Sequence, residues 1–188
     1  MPTDTPDPNI IRLSNVRLSY PQLFTASVVK NSRGEPQGKP KFSATFLMDV
    51  VNHAKLINLI EKTIERVALD EFKKKVILKH SCLHDGNEKD ETDGYGDGVM
   101  FLKASNKTRP PVVNRDKSPI VEQDGLIYGG CYVNATVRIY AMEHEVGGKQ
   151  VNAQLRAVQF LKDGESFGAD PVNVEDEFES LEEKMEDL

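Results

Sequence analysis

The amino-acid sequence predicts an all-β protein with one main helix. Several segments alternate apolar and polar residues with a period of two, whereas only one long segment repeats with a helical period. Proline and glycine residues separate these segments. The 188 residues are enough for one domain with a substantial core. We therefore expect a single β-rich domain.

The most regular strand is predicted at residues 131–142, CYVNATVRIYAM, where the odd positions from Val133 to Ala141 are apolar. Tyrosine rings can stack on nucleobases and arginine can hold phosphates, so the opposite face is a candidate nucleic-acid surface. The preference of aromatic residues and threonine for strands explains the same pattern equally well. The residues of that face are Tyr132, Asn134, Thr136, Arg138 and Tyr140.

A second strand is predicted at residues 150–161, after the hairpin turn EVGGK. Arg156 is predicted to share the outer face with Arg138. This arrangement requires a loop of odd length or a bulge, because an even loop would exchange the two faces. The residues predicted to face inward are Val151, Ala153, Leu155 and Ala157.

Two further strands are predicted at residues 16–20 and 41–49, with Arg17 and Lys41 on their polar faces. Tyr20 and Phe24 are assigned to packing. The intervening segment 21–41 is rich in Pro, Gly and cations, which predicts a mobile basic loop.

A single helix is predicted at residues 52–75, with Asn52 as its N-cap and an apolar stripe from Ile57 to Phe72. It is predicted to cover one side of the sheet. One helix among antiparallel strands favours a five-stranded barrel of the oligonucleotide-binding (OB) type with extra loops over a parallel α/β sheet.

The net charge of −6 comes from the C-terminal end. Residues 175–188 hold eight of the 30 acidic side chains and one of the 24 basic ones, so the rest of the chain carries 22 acidic and 23 basic residues. A basic segment at 103–117 contrasts with an acidic one at 84–98. Such segregation is typical of a tail that interacts with its own domain or with partners.

Several chemical motifs carry weak signals. His80, Cys82, His84 and Cys131 include residue types that bind zinc, but their spacing is not that of a zinc site, and packing explains buried cysteines as well. Segment 85–94 lacks the residue order of a calcium loop. We expect no catalytic residues, no metal, no cofactor and no membrane span, in a cytoplasmic protein with a flexible N-terminus at residues 1–9.

Five sequence motifs, and their order along the chain, resemble a family of bacteriophage single-stranded DNA-binding proteins that was long catalogued as a domain of unknown function. The resemblance covers about residues 10–168. It implies an OB fold at 10–170, a role in phage DNA replication and recombination in the host cytoplasm, and an acidic tail at 171–188. The motifs are VRLSYPQLF (16–24), KFSATFLMD (41–49), ASNKTRPPVV (104–113), YGGCYVNATVRIYA (128–141) and VQFLKDGESFG (158–168).

The predicted DNA-binding residues combine stacking rings with cations that track the phosphates. Phe101 and Tyr95 are further stacking candidates, although core and loop positions explain them as well. The full set of predicted contacts is Tyr132, Asn134, Thr136, Arg138, Tyr140, Arg156, Arg17, Lys41, Lys103, Lys107, Arg109 and Phe101.

The tail is predicted to occupy the cationic groove weakly and, once displaced by DNA, to bind replication or recombination proteins. An amphipathic helix and a solubilising end are alternatives for this segment. A metal-dependent nucleic-acid enzyme and an acidic interaction module are the rival functions, and the sequence leaves homo-oligomerisation open. The predicted tail contacts are Glu175, Asp176, Glu177, Phe178, Glu179, Glu182, Glu183, Glu186, Asp187 and Leu188.

Overall fold

A computed structural model describes residues 5–168. The predicted tail contacts at 175–188 lie outside the described residues. No helix within 5–168 is long and apolar enough to cross a membrane. The elements in chain order are β1 (Ile10–Lys30), β2 (Pro36–Asp49), α1 (Ala54–Phe72), β3 (His80–Ser81), β4 (Leu83–Asp85), β5 (Val99–Asn106), β6 (Val112–Val113), β7 (Tyr132–His144) and β8 (Gly148–Lys162).

Five strands close into a barrel in the order β1, β2, β5, β8, β7 and back to β1. All neighbours are antiparallel except β5 and β8, which meet in parallel at Ser105 and Gln154. The gap beside this short contact is filled by β3, which pairs with β8, and by β4, which pairs with β5. The predicted all-β, OB-like barrel with one main helix is confirmed.

The barrel interior follows the period of two in the strands. Val133, Val137 and Ile139 of β7 are fully buried, as the sequence predicts. In β8 the alternation changes phase at a bulge, since Leu155 pairs with Val137 whereas Ala157 pairs with Thr136. Ala157, predicted to face inward, is therefore only half-buried, and Val158 and Phe160 continue the core.

The β7–β8 hairpin turns through the three residues 145–147, because His144 pairs with Gly148. This loop has the odd length that the predicted face assignment requires.

Segment 21–41 does not form a mobile loop, so that prediction is wrong. β1 and β2 continue beyond the barrel as a paired two-stranded ribbon, in which Lys30 lies opposite Pro36. Residues 31–35 make the tight turn, where the Asn31 N–H donates to the Glu35 carbonyl at 3.0 Å. Pro36, Gly38 and Pro40, which suggested a loop, lie within this ribbon at exposed positions, where missing backbone donors are tolerated.

Helix α1 packs its apolar stripe against β7 and β8. Ile57, Ile60 and Ile64 of this stripe are buried, in agreement with the predicted pattern. The N-cap of the helix is His53, one residue after the predicted Asn52, and its side chain makes no capping hydrogen bond.

Candidate nucleic-acid interface

A cleft of about 800 Å³ crosses the outer face of β2 and β5. The β1–β2 ribbon forms one wall, and β3 with the β7–β8 hairpin forms the other. We call this feature the ribbon cleft. Its polar and aromatic lining includes Tyr20, Lys39, Lys41, Ser43, Thr45, His80, Lys103, Ser105, Lys107, Tyr140, His144, Gln150 and Asn152.

Four lysines give the ribbon cleft its charge. Lys39 and Lys41 come from the ribbon, and Lys103 and Lys107 from β5 and the residue after it. Lys103 faces outward because Leu102 and Ala104 on either side fill the core. Partial burial and the neighbouring Lys89 lower the pKa of Lys103. An anion in the cleft would relieve this mutual repulsion of the cations.

Two histidines, His80 and His144, also line the ribbon cleft. Partial burial is the main cause that lowers the pKa of His80, and the nearby His84 and Lys103 lower it further. In the hairpin, His144 Nδ1 accepts the backbone N–H groups of Val146 and Gly147, each at 3.2 Å. The lysines of the cleft therefore lie on the ribbon and along β5, and the opposite wall contributes neutral polar side chains such as Gln150 and Asn152.

Two tyrosines lie in the ribbon cleft. Tyr140 projects from β7 beside its cross-strand neighbour Asn152, which also lines the cleft. Tyr20, assigned to packing from the sequence, is 55% exposed, so that assignment is wrong. The packing role of Phe24 is confirmed, since it is partly buried against the core.

Phe101 does lie on the outer face of β5, but segment 84–95 covers it completely. Its ring stacks on His84 with centroids 5.0 Å apart and meets the edge of Tyr95 at 5.0 Å. Tyr95 is fixed in turn, because its hydroxyl donates to Ser19 Oγ at 3.0 Å. A fully buried ring offers no free face to a base, so the stacking role predicted for Phe101 is not supported by its environment.

Tyr132 and Arg17 lie away from the ribbon cleft. Tyr132 is eight residues from Tyr140 on the same strand, which corresponds to roughly 27 Å. The Arg17 guanidinium donates to the Gly130 and Glu165 carbonyls and lies 4.2 Å from the Phe167 ring centroid. These two residues anchor segment 163–168, and the structure does not combine them with Tyr140.

Arg138 and Arg156 both lie near the N-terminal Asp7. Arg138 Nε is 3.0 Å from the Asp7 carboxylate. The pKa of Asp7 is lowered first by the Asn9 backbone N–H, then by Arg138, with a smaller contribution from Arg156. The shared surroundings of the two arginines agree with the predicted common face, but a carboxylate already occupies it.

The remaining predicted contacts lie elsewhere on the surface. Asn134 and Thr136 line a separate depression together with Arg12 and Lys117. The Arg109 guanidinium lies 5.5 Å from the Phe24 ring centroid. Of the predicted set, the ribbon cleft brings together Lys41, Lys103, Lys107 and Tyr140.

The candidate zinc ligands point in different directions. His80 and His84 lie on the outer face with ring centroids 5.8 Å apart, whereas Cys82 and Cys131 are buried free thiols. Burial raises the pKa of Cys82 to about 12. Across residues 5–168, no three His, Cys, Asp or Glu side chains are grouped to hold a metal ion.

Sequence reasoning missed Tyr20, Lys39, His80 and His144 as members of one surface. The topology contained the missing signal, because OB barrels bind oligonucleotides on the second and third barrel strands, between the loops that join strands 1–2 and 4–5. In this barrel those strands are β2 and β5, and the loops are 31–35 and 145–147.

A family model described as Enterobacter phage Enc34, ssDNA-binding protein, matches residues 9–188. The chain belongs to this family. The protein p50 of Acyrthosiphon pisum secondary endosymbiont phage 1 is 41% identical over 181 residues, which cover 91% of this chain and 93% of that relative. The predicted resemblance to phage single-stranded DNA-binding proteins is thereby confirmed.

Solved structures agree with the family assignment. The Enc34 single-stranded DNA-binding protein in complex with ssDNA is 32% identical, with a TM-score of 0.74 over 85% of this chain and 90% of that one. The bacteriophage T7 protein gp2.5 is 14% identical, with a TM-score of 0.58 over 87% of this chain and 97% of that one. At this identity, the T7 protein shows a common fold.

Proposed function

We propose that the chain binds single-stranded DNA without sequence preference in the ribbon cleft and protects single strands during phage DNA replication and recombination. The observation that carries this proposal is the cleft itself, where four lysines surround an outer-face surface that also presents Tyr140. Its position matches the binding face of OB barrels. The family to which the chain belongs supports the same ligand.

The mechanism uses two additive kinds of contact. Lysine side chains neutralise phosphates and release counterions, which gives affinity that falls as salt rises. Bases stack on tyrosine rings, and since every base has a π face, this contact tolerates any sequence. We assign the primary phosphate contacts to Lys41, Lys103 and Lys107 and the primary stacking contact to Tyr140. Binding of this kind needs no catalytic step and takes place in the host cytoplasm.

The acidic tail is proposed to regulate this site. The described chain ends at Gly168, whose N–H donates to Asp93 at 3.2 Å. Asp93 is two residues from Tyr95, whose ring lies 6.5 Å from that of Tyr20 in the cleft. Gly168 is therefore linked through segment 93–95 to Tyr20 in the ribbon cleft, and a polyanionic tail tethered to it would compete effectively even if its own affinity were weak. When DNA displaces the tail, it becomes available to replication or recombination proteins.

Fluorescence anisotropy of a labelled oligo-thymidine tests the proposal, with the full-length protein and a chain ending at Val174, at low and moderate salt. We expect salt-sensitive binding that tightens on truncation. Equal binding by both chains would remove the competitive role of the tail. Absence of binding at low salt would favour the interaction module, and magnesium-dependent loss of the oligonucleotide would favour the enzyme.

A further inference from the structure

Tyr20 has an unusual backbone conformation. Its φ angle is +46°, in the left-handed region that bulky side chains rarely adopt. Ser19 pairs with Thr45 and Gln22 with Ser43, so Tyr20 and Pro21 together face one residue of β2 in a bulge. Pro21 has no N–H to give to the ladder, which favours a bulge at this point.

The bulge reverses the direction of the Tyr20 side chain. The inward alternation of Val16 and Leu18 would otherwise place Tyr20 in the core. The ring instead lines the ribbon cleft and is 55% exposed. A strained conformation that removes an aromatic ring from a core and exposes it in a cleft is the kind of outlier that accompanies binding sites.

A lysine is fixed beside this ring. Lys89 ends the short 3₁₀ helix Gly86–Lys89, and its Nζ lies 5.3 Å from the Tyr20 ring centroid and 5.6 Å from that of Tyr95. The turn packs closely on β5: a Cβ at Gly86 would lie 2.5 Å from the Val99 carbonyl oxygen. Packing of the turn thus places Lys89 against the aromatic rings of Tyr20 and Tyr95.

We propose that Tyr20, in the ribbon cleft, and Lys89 beside it form a nucleotide subsite. A nucleobase stacks on the Tyr20 ring, and Lys89 binds the adjoining phosphate. The subsite rests on the proposed function and extends it. It adds a second stacking platform to Tyr140, and Lys103 of the same cleft lies near Lys89. It also gives the otherwise acidic segment 84–98 a direct part in DNA binding.

Abasic DNA separates the two contacts. Oligo-thymidine and an abasic oligonucleotide of equal length are titrated with the wild type, Tyr20→Ala and Tyr20→Phe, each as the full chain. We expect Tyr20→Ala to weaken oligo-thymidine binding about 5- to 150-fold, the range for one base–aromatic stack. On the abasic strand Tyr20→Ala should match the wild type, and Tyr20→Phe should retain binding on both strands.

Lys89→Ala should weaken binding to oligo-thymidine and to the abasic oligonucleotide equally. We expect about fivefold weaker binding at 0.1 M salt and a salt slope reduced by about 0.7, whereas Tyr20→Ala leaves the slope unchanged. A loss of binding by Tyr20→Ala that is equal on abasic and normal strands would overturn the stacking assignment. An unchanged salt slope in Lys89→Ala would overturn the phosphate assignment.

Tyr20→Gly distinguishes binding from folding. Glycine adopts φ of +46° without strain, so this variant should unfold at equal or higher urea concentration while binding oligo-thymidine as weakly as Tyr20→Ala. Loss of stability in parallel with loss of binding would show a structural role and overturn the proposal. If the wild type itself fails to bind, the proposed function fails; if it binds and Tyr20→Ala binds equally well, the subsite alone fails.

Discussion

Replacing Lys41, Lys103 and Lys107 by alanine should remove three phosphate contacts from the ribbon cleft. Each contact with a single strand contributes about 0.7 to the slope of log affinity against log salt, so the slope should become less steep by about 2. At 0.1 M salt, the loss of each lysine contact should weaken the affinity for the oligonucleotide about fivefold, or by ~1 kcal/mol. The triple variant should therefore bind oligo-thymidine roughly 100-fold more weakly than the wild type.

The matched control replaces Lys55, Lys62 and Lys74, which are exposed on and just after α1 and outside the cleft. It changes the net charge of the chain by the same amount. Anisotropy titrations between about 0.05 and 0.3 M salt give both slopes. The reasoning would be refuted if the control variant lost as much slope as the cleft variant, because affinity would then depend on total charge alone.

Three further predictions concern pH, stability and thiol reactivity. Partial burial and positive neighbours lower the pKa of His80, and phosphates should raise it again, so binding takes up protons and tightens as pH falls from about 7.5 to 5.5. His80→Asn should flatten this profile in anisotropy at constant ionic strength; an unchanged profile would place His80 away from the phosphates. Phe101→Ala should destabilise the fold by about 3–5 kcal/mol in urea titrations while the folded fraction still binds DNA, and the reverse result would restore a stacking role for this ring. Burial raises the pKa of both thiols, so Cys82 and Cys131 should react with Ellman's reagent at pH 8 on the timescale of unfolding, and immediate labelling in native buffer would contradict their burial.

The hairpin strands β7 and β8 were predictable because their residue pattern is local. Val133 to Ile139 alternate strictly, and the faces needed only a loop of odd length, which the three residues 145–147 provide. The helix was predictable for the same reason, since Ile57, Ile60 and Ile64 repeat with its period.

Features that depend on contacts between residues far apart in the chain could not be predicted from the sequence. The exposure of Tyr20 results from a bulge that shifts its strand against β2. Phe101 has the correct outward direction, but its burial depends on segment 84–95, which has no regular period. The ribbon contains the Pro and Gly of a loop, yet pairing between β1 and β2 makes it a wall of the cleft.

Photo-crosslinking tests the central claim most directly. An oligo-thymidine that carries 4-thiothymidine at single positions is irradiated with the full-length protein, and the cross-linked peptides are identified by mass spectrometry. We expect cross-links at Tyr20 and within residues 103–107 and 140–144, which line the ribbon cleft. Cross-links concentrated at residues 130–136 and 162–168, near Tyr132 and Arg17, would place the strand outside the ribbon cleft and contradict the account.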